Sequence, residues 1–528
     1  MIIEARRKKK LELRKREKSI IILISIISAF LVPYVGFFLY AMEEYNQYAY
    51  NLDPPDPDSF WTENSSQLAA MAIWYEDNIA KYHMPHNMIV NTVFNSSKEP
   101  SDIDEALAFT VTYDSAEWTG HYLMAEAYRY AVHDEEGNAT LAAEALQNIK
   151  NTLKGIDKIL HVSGNGGMAR YAWPVEEYEK YVGDPDNPTD DNHYKGEWKG
   201  EDYIFEDDTS RDMHNGIIMG LGFAYLKVDD DEIRNKVRDL VEDLLDYFLD
   251  NGFLYHKPNN DPNGTDLDAG YWLFGTSGIW TLAYLKVGVL VNPDKYEPIY
   301  LNYAIERDYV HRSAFPFMSR TNVVQAYYGL LLDWEVLFVL VMLEKDPSLR
   351  NIYVDYIGQV YEYTKYDRNA IFNAMWLIIN DIDRDNANDE EEIIIGDIID
   401  CISRYYDHVQ RLPGRAINLE NPDVKPSPVS EKWVKFFTEG VGKWLYPFWR
   451  SIYQFEIVAG EALTPDQRPQ TDFLWSRPPY WFEQEGDGSM EGPGVDFTVV
   501  YWLCRYYEIL EAPINYDAPI TVNYPGGS

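Results

Sequence analysis

His214-Asn215-Gly216-Ile-Ile-Met-Gly-Leu-Gly-Phe-Ala224-Tyr-Leu-Lys-Val228 starts polar, turns apolar after a glycine, and ends on a pentapeptide that returns 59 residues later as Ala283-Tyr-Leu-Lys-Val287. The second copy has the same polar-then-glycine start, Thr276-Ser277-Gly278. A looser third version runs from Trp118-Thr119-Gly120 to Ala127-Tyr128. Such a recurrence reads as one helical hairpin per unit, with alternate helices playing equivalent roles. Around these copies the apolar spacing is helical. It predicts helices near 65–83, 115–132, 139–160, 209–227, 230–251, 273–290, 294–307, 320–344, 347–364, 368–381, 389–409, 430–460 and 495–511. Strand signals are few and short, and proline- and glycine-rich connections cover 183–203, 256–270, 411–429 and 464–494. No linker divides the series, so residues 62–515 are expected to form one all-α domain, followed by a tail over 516–528.

The N-terminus has a different chemistry. Residues 1–18 carry nine Lys or Arg against three Glu, and the 23 residues from Ser19 to Ala41 carry no charge. About 20 such residues span a bilayer core, and the run exceeds the apolar stretch of a signal peptide, with a poor cleavage site at Leu39-Tyr40-Ala41. The reading is an uncleaved single transmembrane helix over 19–41, kinked at Pro33. The basic tail stays in the cytoplasm and the bulk lies outside the plasma membrane. Residues 42–61 are polar and proline-bearing, a juxtamembrane linker.

Net charge is −40 overall, and beyond the anchor 37 basic residues face 83 acidic ones. So acidic a domain repels phosphate backbones, which excludes nucleic acid as partner; cations and neutral or cationic glycans are compatible with it. Sequons at Asn64, Asn95, Asn138 and Asn263 agree with an exported, glycosylated surface. The two cysteines, Cys401 and Cys504, allow one long-range disulfide or two buried thiols, and exclude a cysteine metal site by count.

About a dozen helices joined by long loops, with glycine near the start of alternate helices, fit a closed toroid in which inner helices pack closely around a funnel. This pattern resembles the six-hairpin (α/α)6 toroids shared by glycoside hydrolases, sugar epimerases and polysaccharide lyases. The resemblance covers most of 62–515 and rests on architecture, so the site residues are read from this sequence alone. It implies a carbohydrate-active enzyme with a glycan substrate, a glycoside hydrolase before a lyase or epimerase. A non-catalytic glycan-binding or cell-envelope protein on the same fold is the rival, and a helical interaction platform a further one. The oligomeric state stays open.

Two polar helix starts carry the candidate chemistry. In Asp114-Ser-Ala-Glu117-Trp118-Thr-Gly-His121, the Asp, Glu and His share one helix face. The helix N-terminus favours the carboxylates there, with Trp118 as a sugar platform. In Asp208-Thr-Ser-Arg211-Asp212-Met-His214-Asn215, residues 208, 211, 212 and 215 share a face. Paired carboxylates from the two starts serve a glycosidase; Arg211 with His214 serves a lyase. Capping competes with both, through Asp114-x-x-Glu117 and Thr209-x-x-Asp212. Substrate-binding candidates are Asn215, Arg320 and Asn322 at helix starts, and Trp475, Arg477, Tyr480, Trp481 and Glu483 in a C-terminal loop that reads either as a lid or as aromatic cover for the end of the fold. No cofactor is expected: no phosphate loop and no HExxH motif are present. The stretch 259–268 has alternating oxygen ligands and a glycine, which makes it a candidate for structural calcium, but it lacks the twelfth-position Glu of a calcium loop.

Overall fold

The computed structural model describes residues 32–45, 53–95, 106–186, 192–257, 265–267, 277–312, 327–407, 411–413, 425–444, 446–450, 455–468, 473–481 and 487–516. The chain separates into two units, one of residues 1–51 with 426–460, the other of 52–425 with 461–528.

The larger unit is mostly helical. Its twelve main helices are α1 (Ser65–Asn78), α2 (Ser115–Glu135), α3 (Ala139–His161), α4 (Arg211–Lys227), α5 (Asp231–Asp250), α6 (Ser277–Val291), α7 (Pro293–Leu301), α8 (Tyr327–Leu343), α9 (Pro347–Thr364), α10 (Ala370–Ile379), α11 (Asp389–Ser403) and α12 (Val495–Tyr506). They are of two kinds. On α5 the buried residues Ile233, Val237, Leu240, Val241, Leu244, Leu245 and Phe248 form one stripe, which is how a helix covers a core from one side. On α2, α4, α8 and α12 burial runs all round, as in a helix enclosed by others. These four, with α6 and α10, are neighbours in succession: α2 packs on α4 and α12, α4 on α6, α6 on α8, α8 on α10, and α10 on α12. Each also packs on a sequence-adjacent partner, α2 on α3, α4 on α5, α6 on α7, α8 on α9, α10 on α11, while α12 takes α1.

The closest of these contacts joins α2 to α4, and glycine is the reason. A Cβ on Gly120 would lie 2.0 Å from the Gly216 carbonyl oxygen, one on Gly216 2.5 Å from that of Glu117, and one on Gly220 2.3 Å from that of Gly120. Backbone therefore meets backbone along two turns, the use that the glycine of the repeated stretch serves.

Helix start signals in the sequence place the caps. Asn138, Asp230, Asn292, Asp346, Asn369 and Asn388 each accept a first-turn N–H. Asn64 and Asn138, read as sequons, are the N-caps of α1 and α3; Asn95 is exposed; Asn263 lies outside the described residues. Cys401 and Cys504 are two buried free thiols, so the disulfide alternative is set aside.

Purely α is corrected in detail by two small antiparallel sheets. One orders β1 (Asn91–Val93) between β2 (Ala108–Thr110) and β7 (Asp487–Glu491), with β6 (Arg411–Pro413) beyond β7. The other orders β3 (Tyr171–Pro174), β5 (Glu201–Glu206) and β4 (His193–Trp198). The β4–β5 hairpin falls in a stretch expected to be a connection. Its Lys199-Gly200 turn takes positive φ at both residues, 54° and 83°, the pattern that matches strand twist in a two-residue hairpin.

In the smaller unit, helix 32–45 lies against the helix Pro428–Thr438 through Phe38 on Phe437, with Tyr45 donating to the Glu456 carbonyl at 2.6 Å and Lys432 paired with Glu44 at 2.7 Å. The expected long helix over 430–460 is instead the Pro428–Thr438 helix followed by short turns. Val32, Leu39 and Tyr40 are exposed. Among the described residues no helix is long and apolar enough to cross a membrane; residues 19–31 of the expected span lie outside them.

The glycine contact sets a contrast that thermal melts can read. Gly120→Ala is expected to destabilise by about 2 kcal/mol or more, because backbone must move to admit the methyl group. Gly329, on α8 with open space at its Cβ, is expected to gain about 0.5–1 kcal/mol on substitution by Ala.

Candidate functional site

The close α2–α4 contact brings two helix starts together. Oxygens of Asp114, Glu117 and Asp212 all lie within 4.8 Å of one another, with Glu117 buried and the two aspartates half-buried. Asp114 is the N-cap of α2 and Ser210 that of α4, and neither side chain makes a capping hydrogen bond. Thr209 instead donates to the Met168 carbonyl.

His121 is fully buried one turn beyond Glu117. Its Nδ1 lies 3.1 Å from the Glu117 carbonyl and its Nε2 3.0 Å from Oε1 of Glu335. Glu335 comes from α8 and is fully buried. Burial raises its pKa first, the Asp212 charge adds to the rise, and His121 opposes it. Its neighbour Asp333 accepts from the Trp280 indole at 3.1 Å. Sequence reading passed over both acids, although a signal existed: Asp333 and Glu335 are the only charged residues of the otherwise apolar α8.

The other expected site residues divide. Arg211 donates to the Asp266 carbonyl at 2.9 Å, with its guanidinium over Trp280. Asn215 accepts from Tyr284. Asp208 stands apart from the cluster in a left-handed conformation, φ 65°, half-exposed and paired with Lys257 at 3.1 Å. His214 is fully buried among Phe248 and Tyr255, its Nδ1 2.8 Å from the Ser210 carbonyl, and burial lowers its pKa to about 4. It is therefore a neutral core histidine at physiological pH. Trp118 is buried with its face against Phe473, centroids 4.5 Å apart and nearly parallel, so that face is occupied by protein.

The C-terminal loop follows its covering alternative at two positions. Trp475 is fully buried and donates to the Asp496 carbonyl at 2.7 Å. Tyr480 is buried and donates to Asp367 at 2.8 Å. Arg477 and Trp481 are half-buried. Arg320, Asn322, Glu483 and most of 259–268 lie outside the described residues. Asp367, unsuspected from sequence, also accepts from Tyr327 at 3.1 Å, and burial pushes its pKa up to about 7.

Two measurements check this electrostatic picture. Asp367 binds its proton more tightly folded than unfolded, so its contribution is complete below the ordinary 3.8 and is lost as pH rises through about 7. Urea unfolding of Asp367→Asn, which cannot ionise, is expected to show a flatter pH dependence across that interval than the wild type. Asp212→Asn removes one of three crowded carboxylates. In the absence of divalent ions it is expected to raise stability by about 1 kcal/mol at neutral pH, whereas loss of a structural anion would lower it.

No protein-family model, curated protein or solved structure matches this chain, so the geometry alone carries the functional reading.

Proposed function

We propose that the chain is a membrane-anchored, extracytoplasmic carbohydrate-active enzyme, a glycoside hydrolase, whose twelve helices form an (α/α)6 toroid. The cyclic succession of neighbours α2, α4, α6, α8, α10, α12 and back to α2, each with one outer partner, supports the architecture. The basic tail and the uncharged run from Ser19 to Ala41 support the anchor.

One observation carries the activity: three carboxylates from two helix starts converge and neither N-cap side chain is engaged in capping. Crowded carboxylates held on rigid helices are groups kept for chemistry or binding at some expense of stability. Their oxygens, within 4.8 Å, sit closer than the 6.5–9.5 Å that leaves room for a water between two acids. The spacing is nearer the about 5–5.5 Å of a retaining pair, in which one carboxylate attacks and the other serves as acid and then base. A lyase reading gains nothing comparable, because His214 is buried in the core and Arg211 is engaged at Asp266 and Trp280.

The test is release of reducing sugar from a glycan panel by the full chain in detergent, with absorbance of unsaturated product followed in parallel. Asp114→Asn and Asp212→Asn are expected to lose at least about 10²-fold in kcat while remaining folded. Folded variants as active as the wild type would sink the assignment, and unsaturated product would move it to a lyase.

A further inference from the structure

We propose that residues 428–444 form a second membrane contact, an interfacial element lying in the headgroup layer of the bilayer beside the outer end of the anchor. The inference rests on the anchored reading of the chain and is independent of the hydrolase.

The smaller unit supplies about a tenth of the described residues. Yet five of their thirteen exposed large hydrophobic side chains, Val32, Phe37, Leu39, Tyr40 and Trp444, lie in it. Four of the five stand on helix 32–45. One face of that helix, Phe38, Ala41 and Tyr45, is buried, with Phe38 on Phe437 and Tyr45 on Phe455. The rest of its surface carries no charge before Glu43. Bare apolar side chains on the last turns of an uncharged run that begins at Ser19 are what a helix leaving lipid presents. Tyr40 then falls where aromatic residues mark the interface.

The Pro428–Thr438 helix returns to this level from nearly 400 residues further along the chain. The Phe37 ring meets Trp433 at 5.6 Å and Phe436 at 5.4 Å, and Tyr40 meets Trp433 at 6.4 Å. These four rings line an open groove of about 630 Å³, with Lys432 and Lys435 among its other walls. The turn Val441–Trp444 packs on the same helix, and there Trp444 is 80 % exposed, with the Lys443 ammonium over its ring.

Length and charge select the bilayer surface as the occupant. At 11 residues the helix is far short of the about 20 that span a bilayer. It buries Ser430, Trp433 and Phe437 and exposes Lys432 and Lys435, and an amphipathic helix of lysines and aromatics lies in the interface plane. Lysine stems cover apolar surface there while their ammonium groups reach lipid phosphates. The chain as a whole carries −40, which opposes approach to a phosphate layer, but over 428–444 three Lys outnumber two Glu.

The test attaches a fluorescent thiol probe to the full chain through Trp444→Cys, Val32→Cys or Asp186→Cys, one at a time. All three positions are exposed, and the native Cys401 and Cys504 are buried and stay unlabelled. Each variant is reconstituted in phosphatidylcholine nanodiscs carrying lipid spin-labelled either near the headgroup or deep in the chain, with a soluble nickel complex as aqueous quencher. The probe at 32 is expected to lose fluorescence to lipid, which reports the anchor, and the probe at 186 to nickel alone. At 444 the shallow lipid label is expected to quench more than the deep one, as at a depth of about 5–10 Å. Lipid quenching at 32, with the probe at 444 reached only from water or covered from both sides by a second copy, would overturn the proposal and leave the anchor standing. Lipid quenching at 444 without any at 32 would support the interfacial contact and overturn the anchor. Quenching by lipid at neither position would overturn both.

Discussion

The direct contact of backbone with backbone between α2 and α4 constrains much of the site. Gly120, Gly216 and Gly220 leave no room for a side chain at the crossing, so the distance between the helices is set by main-chain atoms and not by adaptable side-chain packing. Glu117 sits in that contact through its own carbonyl, and Asp212 one turn before Gly216. Their carboxylates are therefore carried toward each other by the fold. Glycine is unfavourable inside a helix by roughly 0.5–1 kcal/mol relative to alanine; here that is offset by close packing and by the juxtaposition it produces.

Elsewhere buried charge is arranged differently. Arg129 on α2 gathers Glu126 at 3.3 Å, Glu144 at 3.4 Å and Glu76 at 3.9 Å, and Glu76 also accepts from the Trp502 indole at 3.0 Å. Arg368 joins Asp397 and Asp400 of α11, and its carbonyl accepts from Arg468 at 2.8 Å. In both networks acids surround a buried cation, the arrangement in which such burial is tolerated. In the Asp114, Glu117 and Asp212 group, carboxylate oxygens of three acids lie within 4.8 Å of one another.

The sequence made the helices and their pairing legible because both are local: capping residues start them and a stripe of apolar residues assigns a face. The repeat at Ala224 and Ala283 marked helices that the structure encloses on all sides. The small sheets escaped because their strands are three to six residues long and β1–β7 pairing joins segments nearly 400 residues apart, a relation that periodicity cannot carry. At the site, the Asp114–Glu117 start was legible as one helix face. Its partner on α4 proved to be Asp212 and not Asp208, because the positive φ at 208 ends the extended segment and α4 begins only at Arg211. Glu335 was hidden by distance in sequence, although an acid within the apolar run of α8 already implied a buried partner.

Placement at helix starts also bears on the electrostatics of the site. The first turns of α2 and α4 present N–H groups that no N-cap side chain satisfies, and the positive end of each helix dipole lies there. Such starts suit anionic groups, which gives a physical reason for acids to stand at the first turns of these two helices. Glu335 lies deeper in the fold, where burial raises its pKa. The fold thus holds acids in two settings, at open helix starts and in the buried interior. The same close packing of α2 against α4 thereby decides where these acids stand, because the backbone contact at Gly120, Gly216 and Gly220 leaves the two helix starts no freedom to separate.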